Sequence, residues 1–175
     1  DAFGRRVKKH VNDNGNISEE RYYYDGDDVL LDMDSGGSVT RSYVNGLGID
    51  EKLAIEQGGS KAFFLTDALG STRELIDTGN VAQTRLSYEA FGKTTPVIEN
   101  LVNRYQFTGR EKDPEVPLMY YRARMYDPST GRFTGRDALG IKNTDQNLYA
   151  YVSSNPAARI DPFGLSELDS TDYMR

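Results

Sequence analysis

Apolar and polar positions alternate along short runs, and each run is closed by Gly, Asn or Asp. That alternation predicts half-buried β-strands joined in successive hairpins. Tyr22-Tyr23-Tyr24-Asp25-Gly26 leads into a strand over 29–33, and Ser35-Gly36-Gly37 turns it into another over 38–44. A second hairpin joins 72–76 to 82–88 through Asp77-Thr78-Gly79-Asn80, whose Gly and Asn accept the positive φ of a tight turn. A third joins 118–126 to 132–134 through Pro128-Ser129-Thr130-Gly131. After Gly140 the pattern changes, and Thr144 or Asp145 is placed to cap one short helix over 146–152. Asp161-Pro162-Phe163-Gly164-Leu165 then reads as a turn.

Degenerate units recur at Tyr22, Asp67 (Asp67-Ala68-Leu69-Gly70) and Tyr88 (Tyr88-Glu89-Ala90-Phe91-Gly92). Such spacing is array behaviour. A lone hairpin cannot bury its apolar face, so neighbouring units are expected to join into a continuous sheet. The 12 tyrosines suit this role, each with an apolar ring and a polar tip; packing accounts for them better than sugar stacking does.

Composition narrows the chemistry. The 175 residues contain no Cys and a single His, His10, which excludes a thiol nucleophile, a His-containing triad near the later motifs and a multi-His metal site. No cofactor is implied. No apolar run is long enough to cross a bilayer. A net charge of −6 argues against a general nucleic-acid binder. Charge is unevenly placed: residues 104–136 carry 7 basic and 4 acidic side chains. A basic groove for a polyanion is one reading of that window; the favoured one is that Arg122, Arg124 and Arg132, on alternating strand positions, pair with carboxylates across a sheet.

Asp137 and Asp161 lie 24 residues apart, on either side of the expected helix. A returning chain would bring them together, and two carboxylates a few ångströms apart cannot both ionise cheaply, so they would share a proton. One would activate water while the other protonates a carbonyl. Arg136 is placed to hold one carboxylate ionised or to polarise the carbonyl oxygen. The plainer reading is also open: a salt bridge for Arg136, and a turn-opening, self-capping Asp for Asp161-Pro162.

The strongest signal is an ordered series: Tyr105-Gln106-Phe107-Thr108-Gly109-Arg110-Glu111, then Tyr120-Tyr121-Arg122-Ala123-Arg124-Met125-Tyr126-Asp127-Pro128, Gly131-Arg132-Phe133, Arg136-Asp137, Asn147-Leu148-Tyr149-Ala150-Tyr151, Asn155-Pro156 and Asp161-Pro162-Phe163-Gly164-Leu165. This order resembles the core domain that closes bacterial RHS-repeat (YD-repeat) proteins, the shells of polymorphic toxins and of Tc toxin C components. The resemblance implies a mainly β fold: a YD-repeat hairpin sheet over 1–103, part of a hollow shell, a core or plug region over 104–165 containing the short helix, and a residual tail over 166–175. It implies encapsulation of a C-terminal toxin and its release by single-turnover aspartyl autoproteolysis. Matched to the family's motif, Asp137 and Asp161 take the catalytic positions, Arg136 the associated arginine, Pro162 and Gly164 the motif turn, and Leu165-Ser166 the scissile bond. Where the family often has Asp-Pro-x-Gly, this chain has Asp137-Ala138-Leu139-Gly140, which loses a rigidifying proline and keeps the carboxylate.

The partners implied by the resemblance are the chain's own C-terminal cargo, upstream YD repeats, secretion machinery or a Tc B-type shell component, in a secreted or cell-surface setting. Asp1-Ala2-Phe3-Gly4-Arg5 reads as the end of a repeat begun upstream, and the tail after Leu165 is too short for a toxin domain. Two other functions stand beside this one: a non-cleaving structural or glycan-binding surface module, and an aspartic protease acting in trans. Asp77-Thr78-Gly79 fits the latter's triplet but falls at an expected hairpin turn.

Overall fold

An aspartate that folds its carboxylate back onto its own backbone makes a self-contained reversal of the chain. This sequence uses the device repeatedly. Asp34 Oδ1 accepts the amides of Gly36 and Ser38, each at 2.9 Å; Asp67 Oδ1 accepts those of Leu69 and Ser71, each at 3.0 Å; Asp77 Oδ1 accepts those of Gly79 and Val81, each at 2.9 Å. The third residue after each aspartate, Gly37, Gly70 or Asn80, has positive φ.

In the computed structural model, which describes residues 1–140, 147–165 and 167–169, these turns link a single antiparallel sheet. Its strands run in sequence order: β1 (Lys8–Asp13), β2 (Asn16–Asp25), β3 (Asp28–Met33), β4 (Val39–Asn45), β5 (Lys52–Gln57), β6 (Ser60–Thr66), β7 (Thr72–Asp77), β8 (Ala82–Tyr88) and β9 (Thr94–Glu99). The first two expected hairpins are β2–β3, continued into β4, and β7–β8.

A smaller four-stranded sheet follows: β10 (Glu111–Asp113), β11 (Leu118–Tyr121), β12 (Arg124–Asp127) and β13 (Arg132–Phe133). A last pair joins β14 (Arg159–Ile160) to β15 (Leu168–Asp169). The single strand expected over 118–126 is therefore two strands, reversed at Arg122-Ala123 with Arg122 at φ +53°. The helix expected over 146–152 is also corrected. Its cap candidates, Thr144 and Asp145, and Gln146 lie outside the described residues. Among those described, the helical turn is a 3-10 turn at Val152–Ser154, matched by another at Phe107–Gly109. Val152, Ser153 and Ser154 all have positive φ, as do Thr108 and Gly109, so neither turn continues into a right-handed helix.

Two apolar clusters join these parts. Tyr22, Val29, Tyr43, Ile55, Ala62, Phe64 and Leu75 of the large sheet enclose Tyr105. Phe107, Met119, Tyr121, Tyr126, Phe133, Tyr151 and Val152 pack together, with Tyr88 and Phe91 against them. Tyr121 and Tyr126 meet Tyr151 at ring-centroid distances of 5.6 and 4.5 Å. Tyrosine thus serves mainly as packing, its hydroxyls satisfied internally: Tyr88 donates to Thr72 O at 2.6 Å and Tyr126 to Phe91 O at 2.8 Å.

Buried ion pairs complete the junction. Arg6 reaches Glu111 at 2.8 Å and Asp113 at 2.5 Å, and Arg104 reaches Asp32 at 2.7 Å. Burial by itself would raise the Glu111 carboxyl, but the guanidinium groups of Arg104, Arg6 and Arg110 outweigh it and hold the pKa down at about 2. Asp50 is lowered in the same sense against its burial by Arg110 and Arg122, whereas Asp32 is raised because burial prevails over Arg104.

The pH dependence follows from these signs. A carboxylate depressed by folding stabilises fully above its ordinary value and loses that contribution as pH falls through its folded value. Stability is expected to drop between pH 4.5 and about 2, partly offset by Asp32, which acts in the opposite direction. Glu111→Gln should cost about 3 kcal/mol at pH 7 and flatten this acid limb. Denaturant unfolding of both proteins across that pH range checks this; an unchanged slope would remove Glu111 from the account.

Candidate functional site

The site grows from the reversal that splits the expected long strand. Because the chain turns at Arg122-Ala123, Arg124 begins β12 with its side chain buried, on the side of the strand that also carries Tyr126. A guanidinium has five donors in a fixed plane, and here they gather three distant segments. Arg124 Nε donates to Gly164 O at 2.5 Å and Nη1 to Leu148 O at 3.3 Å. Nη2 lies 3.2 Å from Asp137 Oδ2 and 3.3 Å from Asp161 Oδ2. The guanidinium carbon sits 3.6 Å from the centre of the Phe133 ring, a close cation–π contact.

The two aspartates expected to meet are thus brought to one nitrogen. Each also opens a turn of the kind that joins the sheet strands. Asp137 Oδ1 accepts the Leu139 amide at 2.8 Å, and its carbonyl accepts that of Gly140 at 3.2 Å. Asp161 Oδ1 accepts the Leu165 amide at 3.0 Å, and its carbonyl accepts that of Gly164 at 3.3 Å. One carboxylate oxygen therefore serves the backbone while the other, Oδ2, faces Arg124. Asp137 is further fixed by its amide, which donates to Leu148 O at 3.0 Å.

Pro162 and Gly164 are buried and Leu165 is half-buried; Ser166 lies outside the described residues. Arg136 is exposed, and the arginine touching both carboxylates is Arg124. Of the three arginines expected to pair across a sheet, only Arg132 stands opposite an acidic residue in a strand pair, Asp127. Arg122 and Arg124 find their carboxylates in loops instead. Sequence reasoning missed Arg124: Met119 and Tyr121 are buried at odd positions and Tyr126 at an even one, a shift of parity that only the folded structure reveals. Asp77-Thr78-Gly79 forms the β7–β8 turn, its carboxylate occupied by Gly79, Val81 and Gln83. Among the described residues, no group of three or more His, Cys, Asp or Glu is placed to hold a metal, and no helix is long and apolar enough to cross a membrane.

Gly164 is fixed by two constraints. Its φ is +67°, and a Cβ there would overlap the Tyr121 carbonyl oxygen. Gly164→Ala should cost about 2 kcal/mol or more, from left-handed strain and displacement of the loop. The melting temperature should fall by about 4 °C or more, and an unchanged melt would show that the loop absorbs the methyl group freely.

No family model matches the chain. It is 35% identical over 172 residues to the tRNA3(Ser)-specific nuclease WapA of Bacillus spizizenii, covering 94% of this chain and 7% of that protein. It is 30% identical over 174 residues to the probable deoxyribonuclease RhsB of Dickeya dadantii, covering 95% of this chain and 12% of that one. The chain therefore spans a small part of each relative. Among solved structures, the TcdB2-TccC3 crystal structure superposes with a TM-score of 0.72 at 22% identity, over 93% of this chain and 9% of that one, a likeness of fold. The ordered motifs, relatives matched across nearly the whole chain and the common antiparallel architecture have one source: the chain belongs to the RHS/YD-repeat family and carries its repeat-associated core domain.

Proposed function

We propose that this chain is the closing part of an RHS shell, which encloses a polypeptide attached beyond Leu165 and frees it by cutting the Leu165-Ser166 bond with an aspartyl dyad. The observation that carries the reading is that Asp137 and Asp161, distant in sequence, share Arg124, while Asp161 also holds the Leu165 amide. The nine-stranded sheet over 8–99 would be wall, the region over 104–165 plug and protease, and 166–175 the start of the released side.

In this mechanism one aspartate takes a proton from water as the oxygen adds to the Leu165 carbonyl carbon. The other enters the step as the neutral acid, with Arg124 pairing with the ionised partner, and protonates the carbonyl oxygen. The tetrahedral intermediate then collapses, the C–N bond breaks, and the proton passes to the departing Ser166 nitrogen. Arg124 keeps the carboxylates in register, and exposed Arg136 beside Asp137 is assigned to polarise the carbonyl oxygen. Because the substrate is tethered, one modest acid–base pair suffices for a single turnover.

The relatives support a shared task over a specific one. A segment common to proteins named for tRNA cleavage and for DNA cleavage is better suited to handling a variable cargo than to either chemistry. By the same reasoning the partners are upstream repeats of the same chain, the cargo, and a B-type shell component like the one named beside TccC3, in a secreted particle.

One observation favours a second reading, a non-cleaving wall or adhesive module: Asp137 and Asp161 occupy the same turn position as Asp34, Asp67 and Asp77, where the carboxylate simply closes a reversal. Intact mass of the freshly made chain separates the two. Wild type should lose 166–175, and Asp137→Asn and Asp161→Asn should each slow that loss by roughly 10²–10⁴-fold. Retention of the tail by all three proteins, with upstream repeats restored, would establish the non-cleaving module.

A further inference from the structure

The reversal that presents Arg124 to the aspartates also presents Arg122 to the wall. Arg122 makes a two-pronged ion pair with Asp50, Nη2 to Oδ1 at 2.7 Å and Nη1 to Oδ2 at 3.0 Å. Asp50 lies between β4 and β5, is buried, and its Oδ1 also accepts Arg110 Nη1 at 2.6 Å. Arg122 Nη2 also donates to Asp27 O, in the β2–β3 turn, at 3.3 Å. The same guanidinium then crosses to the cleavage segment: Nη1 donates to Pro162 O at 2.5 Å and the group lies 5.2 Å from the centre of the Phe163 ring. Next to it, the Ala123 amide donates to Phe163 O at 3.2 Å.

Two features mark this as a built clamp. Arg122 and Asp50 both hold positive φ, +53° and +60°, a conformation that costs non-glycine residues free energy and is kept only where surrounding contacts impose it. A planar fork bound to a carboxylate at two points also fixes direction as well as distance, which a lysine cannot reproduce.

We propose that Arg122 is a positioning residue for self-cleavage, tying the 161–165 segment to the sheet wall through Asp50 so that the scissile bond is aligned only when the β4–β5 region is folded around it. The inference rests on the aspartyl reading above and adds a condition to it: cutting awaits assembly of the wall. A displacement of about 1 Å at a reacting centre costs on the order of 10²-fold in rate, so loss of this tie should appear in kinetics well before it unfolds the chain.

The test follows tail loss by intact mass in chains freshly made by cell-free synthesis, with a thermal melt of each protein. Arg122→Lys and Arg122→Ala should slow cleavage by roughly tenfold to a hundredfold, and millimolar methylguanidinium should restore part of the rate to Arg122→Ala alone. Arg6→Gln removes a wall-to-core ion pair, to Glu111 and Asp113, that includes none of Arg122, Asp50 and Pro162, and should lower the melting temperature while cutting at the wild-type rate. Wild-type rates in both Arg122 variants, with Asp137→Asn and Asp161→Asn blocked, would overturn the clamp and leave the dyad standing. So would slowing in Arg6→Gln equal to that in the Arg122 variants, since the effect would then be general stability. Absence of cutting in wild type, or cutting that survives both aspartate variants, would overturn the dyad and the clamp with it.

Discussion

A carboxylate has two oxygens, and a turn that consumes only one leaves the other to act elsewhere. This constraint organises the molecule. In the sheet, Asp34, Asp67 and Asp77 spend Oδ1 on two backbone amides and reverse the chain between β3 and β4, β6 and β7, and β7 and β8, each strand pairing with the next in sequence. At Asp137 and Asp161 the same turn leaves Oδ2 directed at Arg124. The candidate site is therefore a local variation on the architecture, obtained by placing two ordinary turns against one arginine.

The arginines decide where the later segments sit on the sheet. Arg6, Arg104, Arg110, Arg122 and Arg124 each bind a carboxylate far away in sequence, and most of these pairs are largely shielded from water. Removing two charges from water costs about as much as their attraction returns, so such pairs add little net stability while strongly penalising any arrangement that leaves one partner alone. Their effect here is on placement. Apolar packing around Tyr105 and Tyr121 supplies the main driving force, and the ion pairs select one docking among those that packing would allow.

A cation between two acids also fixes their placement. Arg124 draws the carboxylates to one point while cation–π contact and two carbonyl acceptors, Gly164 O and Leu148 O, keep it in place. Two residues earlier, Arg122 joins that point to the wall. A single tight reversal thus carries one arginine that meets Asp137 and Asp161 and one that meets Asp50 and Pro162, so side-chain contacts join the 161–165 segment to the large sheet.

The sequence by itself determined the β-rich class, the β2–β3–β4 and β7–β8 hairpins and the family, and it offered Asp137 and Asp161 as candidates without being able to show that they meet. Those are legible because alternation, turn chemistry and short ordered motifs act between residues close along the chain. Tertiary structure alone decided that Arg124, not Arg136, touches both aspartates, that 118–126 is broken at Arg122-Ala123, and that the region before Asn155 ends in a 3-10 turn. No Gly, Pro or Asn announces the break at Arg122. Its left-handed backbone is imposed from outside, by Asp50 and Pro162, residues that local pattern cannot connect to it. The choice of partner for a buried charge depends on which segments packing brings together, and that choice exists only once the chain has folded.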